Sequence, residues 1–394
     1  MTHPTLQQKR IAIIGAGPGG LTLALILQKH DISSVVYERE PRDTNRERGG
    51  SLDIHEESGQ KALRAAGLYE KFQEWVRYEG EDFRILDKTG KIYIDEVTEP
   101  DVKGSRPEID RGELCDLLLS AIDTDCIKYG YKLDRAVSLD NGMTELHFEN
   151  GTIDTVHLLV GADGAFSRVR PLLSDTNAEY AGLTMLELNV HNAAEKYPDL
   201  AELNRRGKMF ALSDHKGILG QLNGDGRIKV YASFEAEREW LETCGIPFDQ
   251  PAEAKRRLLE LFNDWDDSLK NYIRYAEDSI LPRRIYMLPV HFKWQRNPGV
   301  TLIGDAAHVM SPFAGEGVNL AMQDAMELAF ALIQNHDFAQ AIETYEEKMY
   351  HYSSEKARET YDNLKLCFSD DAASKLADLM NQYHEPYTGH EDEG

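Results

Sequence analysis

The chain has 394 residues, with 41% hydrophobic and 9% aromatic side chains; that is material for two packed domains and excludes a disordered composition. Its 68 acidic against 44 basic side chains leave a formal net charge of -24, which disfavours nucleic acid and anionic membranes as partners, since phosphate contacts need a basic face. Cys115, Cys126, Cys244 and Cys367 follow no ligand spacing, so neither zinc nor a disulfide framework is suggested, and a reduced, cytoplasmic setting is the simplest expectation.

Lys9-Arg10 and the apolar segment behind it imitate a targeting peptide. Four Gly and a Pro interrupt that segment, no small-residue cleavage site follows, and it is short of the roughly 20 unbroken apolar residues a membrane helix needs. It reads instead as a strand over 11–14, a Gly cluster, and an apolar helix to about Lys29. A second strand within 33–40 completes a strand–helix–strand unit of a parallel sheet. The turn, Gly15-Ala16-Gly17-Pro18-Gly19-Gly20, fits G-x-G-x-x-G: Gly15 permits the turn, Gly17 lets a pyrophosphate approach, and Gly20 lets helix and strand pack. Helix N-terminal amides then face the phosphates. Glu38, 23 positions past Gly15, is placed to bond a ribose hydroxyl. This pattern selects a dinucleotide without separating NAD from FAD.

Residues 154–170 repeat the design, with an apolar strand, a turn at Asp163-Gly164 and the basic start of a helix. Between about 179 and 275 the texture becomes successive strands with Gly/Asn/Asp turns, consistent with an antiparallel sheet, followed by a helix at 251–263. A further strand within 299–308 ends on Gly304-Asp305. After the loop Pro312–Gly317, apolar residues recur at helical spacing from Val318 to about Tyr361, broken near 335–338 into two long helices.

Three of these stretches together resemble the class A FAD-dependent monooxygenases: the Gly15–Gly20 turn with Glu38-Arg39, "GADGAFSRVR" (161–170), and "LIGDAAHVMSPFAGEGVN" (302–319). The resemblance implies an α/β fold. A discontinuous Rossmann-like FAD-binding domain with a parallel sheet would occupy 1–73, 101–178 and 276–335. An inserted antiparallel β-sheet substrate domain would occupy 74–100 and 179–275, with bridging helices over 336–386 and a flexible tail at 387–394. It implies FAD and NADPH as cofactors and contacts to them from Asp163 and Gly164. Asp305 would accept bonds from ribityl hydroxyls, and Pro312, Gly315, Gly317 and Val318 would lie along the flavin ring. The helix behind them would aim its amides at the ring's pyrimidine edge. The plainer reading of Asp305 is an N-cap, and His308 is read as a packed or capping residue without chemistry.

"GGSLDIH" (49–55) and "PEIDRGEL" (107–114) are similar in pattern to the TetX-type tetracycline-inactivating monooxygenases. That resemblance implies Arg39 and Asp53 as FAD contacts, Arg111 near the flavin phosphates and ribityl chain, and Arg46 as an NADPH contact. Arg forks suit phosphate oxygens, yet Arg46 reads equally as a solvated loop charge and Arg111 as a helix-start residue behind an Asp110–Glu113 capping box. Substrate contacts are expected from Glu187, Met209 and Lys229 in the strands and from Phe313 in the loop, with Asn189, His191 and His215 in strands that could also face the pocket.

No catalytic side chain and no metal are assigned, because a reduced flavin reacts with dioxygen itself. The implied function is inactivation of tetracyclines, or hydroxylation of a related aromatic polyketide, by a monomer using NADPH and O2. Other readings are an aromatic or polyketide hydroxylase without tetracycline activity, a flavin halogenase (against which stands the lack of a W-x-W-x-I-P stretch), a non-catalytic FAD-binding sensor, and a plain NAD-dependent dehydrogenase.

Overall fold

The computed structural model describes residues 9–42, 49–99, 102–277, 279–335 and 337–384. Arg46 lies outside them. The chain divides into two compact units, one comprising Met1–Tyr78, Lys103–Ala181 and Ile285–Tyr361, the other Glu79–Val102, Gly182–Arg284 and Asp362–Gly394.

The first unit is built on a five-stranded parallel sheet in the order Val300–Leu302, Leu158–Gly161, Ile11–Ile14, Val35–Glu38, Ile127–Tyr129. Ile11–Ile14 and Leu158–Gly161 are buried throughout, as expected of parallel strands covered on both faces. The Pro18–Lys29 helix starts with Pro at a position where the missing N–H is no loss. It crosses the Glu316–Gln334 helix at backbone distance: a Cβ on Gly19 would stand 2.9 Å from the Ala321 carbonyl oxygen. A two-stranded antiparallel ribbon pairs Ser51–Asp53 with Glu108–Asp110. The Arg111–Leu119 helix follows behind the expected Asp110–Glu113 capping box.

The helix expected after Asp163-Gly164 does not form. Only a short 3-10 turn, Arg170–Leu172, is present. Side chains supply the backbone with other partners: Asp163 Oδ2 accepts from the Arg168 amide at 2.6 Å, and Ser167 Oγ from those of Val169 and Arg170 at 3.1 and 3.0 Å. Pro171 adds no N–H. Arg170, read from sequence as part of a basic helix start, is instead buried. Its guanidinium donates to the carbonyls of Ala306 (2.8 Å), Ala165 (2.8 Å) and Asp305 (3.2 Å).

The second unit is built on a seven-stranded sheet in the order Leu281–Met287, Glu179–Val190, Ile228–Glu235, Lys216–Leu222, Lys208–Ser213, Phe83–Leu86, Ile92–Glu96. Strand periodicity sorts its side chains. Leu186, Leu188, Val190, Met209, Ala211, Ile218, Val230 and Ala232 pack with Leu258, Leu269 and Tyr272 from the Pro251–Leu261 and Asp267–Arg274 helices. Met209 therefore belongs to the helix-covered core, with no exposed surface, and its expected role as a substrate contact is withdrawn. The alternate residues face the other way. Glu187 pairs across the strands with Tyr231, and Asn189 with Lys229.

Among the described residues no helix is long and apolar enough to cross a membrane, and no cluster of three His, Cys, Asp or Glu could hold a metal.

Candidate functional site

The first half of the site is the Gly turn. Gly15 has φ +110°, and a Cβ there would stand 2.3 Å from the Ala162 carbonyl oxygen; a Cβ on Gly20 would stand 2.1 Å from that of Gly15. Both positions exclude side chains because backbones meet there. Above Gly17 the space is open, with nothing within 4 Å of a Cβ. The buried Glu38 carboxylate accepts from the Ala16 amide at 2.9 Å and from the Glu40 amide at 2.9 Å. It thereby ties the second strand to the turn. Arg39 beside it is exposed, its guanidinium 3.4 Å from Glu40.

The second half forms where Val300–Leu302 ends. Gly304, at φ +60°, turns the chain into the one-turn helix Asp305–His308, so Asp305 occupies the first turn and Gly304 the cap. Buried Asp324 fixes this corner. Its Oδ2 accepts from the Gly304 amide and from His308 Nε2, each at 2.7 Å, and its Oδ1 from the Tyr352 hydroxyl at 2.5 Å. Burial lowers the His308 pKa, but Asp324 and Asp305 raise it more, to a net value above the ordinary one. His308 is thus a packed residue, as read from sequence. The Asp305 carboxyl is ringed by protein, yet its surface is exposed while its neighbours are buried; it lines a recess. The surrounding protein raises its pKa against the pull of Arg111, His308 and Arg170.

The remaining candidates gather at this recess. Asp305 Oδ1 lies 3.9 Å from the place of a Gly317 Cβ. A Cβ on Gly315, at φ +67°, would stand 2.7 and 2.8 Å from the two Asp53 oxygens, and one on Gly49 3.0 Å from Arg111 Cδ. Asn319 staples the ribbon to the loop. Its Nδ2 donates to the Asp53 carbonyl (2.9 Å) and the Gly315 carbonyl (3.0 Å), while its Oδ1 accepts from the His55 amide (2.9 Å). Pro312 is exposed, Phe313 half-buried and Val318 buried at the head of the Glu316–Gln334 helix. Asp163 keeps one carboxylate oxygen, Oδ1, buried without a partner, and Gly164 beside it has φ +84° with open space around it. Sequence reasoning gave no role to Arg170, Asn319, His55 or Asp324. Arg170, His55 and Asn319 stand inside stretches already singled out, at 161–170, 49–55 and 302–319, whereas Asp324 carries no local signal.

Glu187 and Lys229 meet in the second unit. Lys229 is 1% exposed, and its Nζ lies 2.5 Å from Glu187 Oε1, with Arg283 3.3 Å from Glu187 Oε2. Asn189 on the same face is buried with its Oδ1 unpartnered. His191 and His215 instead pair with surface carboxylates, Glu277 at 3.6 Å and Glu235 at 2.9 Å.

A turn that admits backbone but no side chain, open space over Gly17 at a helix N-terminus, and an orphaned buried oxygen on Asp163 fit a dinucleotide cofactor. Comparison with known proteins specifies which. The chain matches the family model described as FAD binding domain over residues 8–106 and 143–358. It is 30% identical over 429 residues to the monooxygenase penA of Penicillium thymicola, covering 94% of this chain and 98% of that protein. It is 31% identical over 438 residues to the monooxygenase asqM of Emericella nidulans, again covering 94% and 98%. Among solved structures, Klebsiella pneumoniae HpxO complexed with FAD and uric acid aligns with TM-score 0.78 at 21% identity, covering 96% of this chain and 94% of that one. The tetracycline destructase Tet(55) aligns with TM-score 0.73 at 20% identity, covering 96% of each chain. These two likenesses bear on fold alone. With the family model spanning most of the chain and two relatives matched over nearly their full length, the chain belongs to the FAD binding domain family, as an FAD-dependent monooxygenase of class A.

Proposed function

We propose that the enzyme uses NADPH and dioxygen to hydroxylate a polycyclic phenolic or enolic compound, with tetracyclines as the first substrates to test. The observation that carries the reading is the convergence of Asp53, Arg111, Asp305, Gly315 and Gly317 at the N-terminus of the Glu316–Gln334 helix. Bound FAD would supply hydride acceptance and oxygen activation. The chain's own residues would bind and orient. The Gly17 backbone and the following amides would hold the pyrophosphate, Glu38 and Asp305 would accept bonds from sugar and ribityl hydroxyls, and Arg111 would offset phosphate charge. Asp53 and Asp163 would make further polar contacts, and Gly315 and Gly317 leave room for a flat ring.

Substrate binding is assigned to the sheet face that carries Glu187, Asn189, Lys229 and Tyr231. The charged Lys229–Glu187 pair suits a ligand rich in enol and carbonyl oxygens. A second reading, an aromatic or polyketide hydroxylase without tetracycline activity, is favoured by the higher identity to the two fungal monooxygenases than to the destructase. Absorbance of purified enzyme with NADPH and a tetracycline separates the two. Loss of the antibiotic's near-ultraviolet band, dependent on NADPH and oxygen, supports the first. An intact band with turnover of simpler phenols supports the second.

A further inference from the structure

His55 stands at the end of the ribbon strand, fully buried and firmly placed. Its amide donates to Asn319, its carbonyl accepts from the Gln60 amide at 3.0 Å, and Gln60 Nε2 donates to the neighbouring Ile54 carbonyl at 2.7 Å. Its imidazole lies among charged groups from separate parts of the chain. Nε2 is 3.3 Å from Asp53 Oδ2, the carboxylate that abuts Gly315. Nδ1 has no partner within hydrogen-bond length, yet two carboxylates stand just beyond it: Glu316 Oε2 at 3.6 Å and Glu57 Oε1 at 3.9 Å. Lys356 holds the other Glu316 oxygen at 2.7 Å and is itself 3.0 Å from Glu359, and Arg106 lies 3.9 Å from Glu57.

A neutral imidazole donates from one nitrogen only. With Nε2–H turned to Asp53, the Nδ1 lone pair faces carboxylate oxygens, and a proton placed there turns two repulsive contacts into attractive ones. Burial lowers the His55 pKa, but the Asp53 and Glu316 contacts outweigh it, so the net direction is upward; Arg106 opposes. Glu316 is the first residue of the long helix whose amides face the recess. Its negative charge sits where the helix end is positive, weakening the attraction that end exerts on an anion. Lys356 and protonated His55 cancel that carboxylate.

We propose that His55 is the proton-holding counter-charge of the cofactor: Nδ1 takes a proton from solvent, by way of the exposed Glu57, when two-electron reduction puts negative charge beside this helix end, and gives it back on reoxidation. This rests on the assignment of FAD to the Gly315 loop. The balance is two electrons from the reductant and one proton to the cofactor ring, with a second proton to His55. Coupling is reciprocal, so the protonated imidazole also raises the affinity of the cofactor for electrons.

The test is the pH dependence of the reduction potential of the FAD-loaded enzyme, with dithionite as reductant, alongside proton release or uptake in weak buffer. The wild type is expected to show a pH window in which uptake rises from one to two protons per two electrons, with the slope of potential against pH doubling. The window should vanish in His55→Gln and move to lower pH in Glu316→Gln, while both retain FAD. The second variant and the wild-type proton count stand if His55→Gln does not fold. A window that persists unchanged in His55→Gln belongs to the cofactor ring and overturns the proposal, as does a wild type that takes up one proton at every pH. Protein that binds no FAD fails both this proposal and the site on which it rests; yellow protein without the window fails only this one.

Discussion

The Asp53 carboxylate fills the space that a side chain on Gly315 would need: both of its oxygens lie within 2.8 Å of the Cβ position, and Gly315 has φ +67°. Two independent demands for glycine, backbone and packing, coincide at the loop assigned to the flavin. Gly315→Ala is therefore expected to destabilise by roughly 2 kcal/mol, combining backbone strain of about 1 kcal/mol with displacement of Asp53. FAD affinity should fall at least roughly tenfold, the effect of about 1.4 kcal/mol. Gly130→Ala, at φ +76° with nothing within 4 Å, is the control for strain alone. Urea denaturation and FAD titration of both variants check this; equal behaviour of the two would count against the Asp53 contact.

Asp305 makes the opposite case. Its carboxylate is exposed in the recess rather than spent on the core. Asp305→Ala should leave stability within about 0.5 kcal/mol of wild type and weaken FAD binding by about 1.5–3 kcal/mol, the worth of a hydrogen bond to a charged group. Flavin occupancy after gel filtration reads the result, and full retention would remove Asp305 from the site.

The corner beneath it depends on pH. His308 is raised above its ordinary value by buried Asp324, so the pair's contribution is fully present below the unfolded-state pKa of about 6.5. It is lost as pH rises through the higher folded value. Asp324→Ala, which also orphans the Gly304 amide, should destabilise by roughly 3–5 kcal/mol. The gap between wild type and variant should narrow from pH 6 toward alkaline pH. A gap independent of pH would mean that His308 stays neutral.

In the sheet of the second unit, Lys229→Met alone leaves Glu187, 8% exposed, with Arg283 as its remaining ion-pair partner among the described residues. A loss of roughly 2–4 kcal/mol is expected, with recovery of most of it in the Lys229→Met/Glu187→Leu double variant. If this face binds substrate, the double variant should keep FAD and NADPH oxidation while losing coupling to hydroxylation. Unchanged substrate KM in that variant would release the pair from any role in recognition.

What could be read from sequence was local. The Gly15–Gly20 spacing, Glu38 at the end of the next strand and Asp305 behind an apolar run are all set within one strand–turn segment, where steric rules act over a few residues. Met209 failed because its facing depends on register: it pairs with Gly220, which lies against Asn204 and Tyr272, and a one-residue change of phase would have turned it to the other face. The helix expected behind Gly164 failed because Asp163 and Ser167 bind the amides that a helix would use. His55 closes a stretch singled out in the sequence, yet its role was not legible there, because Glu316 and Asn319 stand some 260 positions away and only the fold brings them to it.

A fluorescence titration of flavin-stripped protein with FAD, wild type against Asp305→Ala, tests most directly whether several separated turns close around one FAD. Saturable quenching in the wild type, shifted to at least roughly tenfold higher FAD in the variant, is the expected result. Indistinguishable curves, or no quenching in either protein, would contradict it.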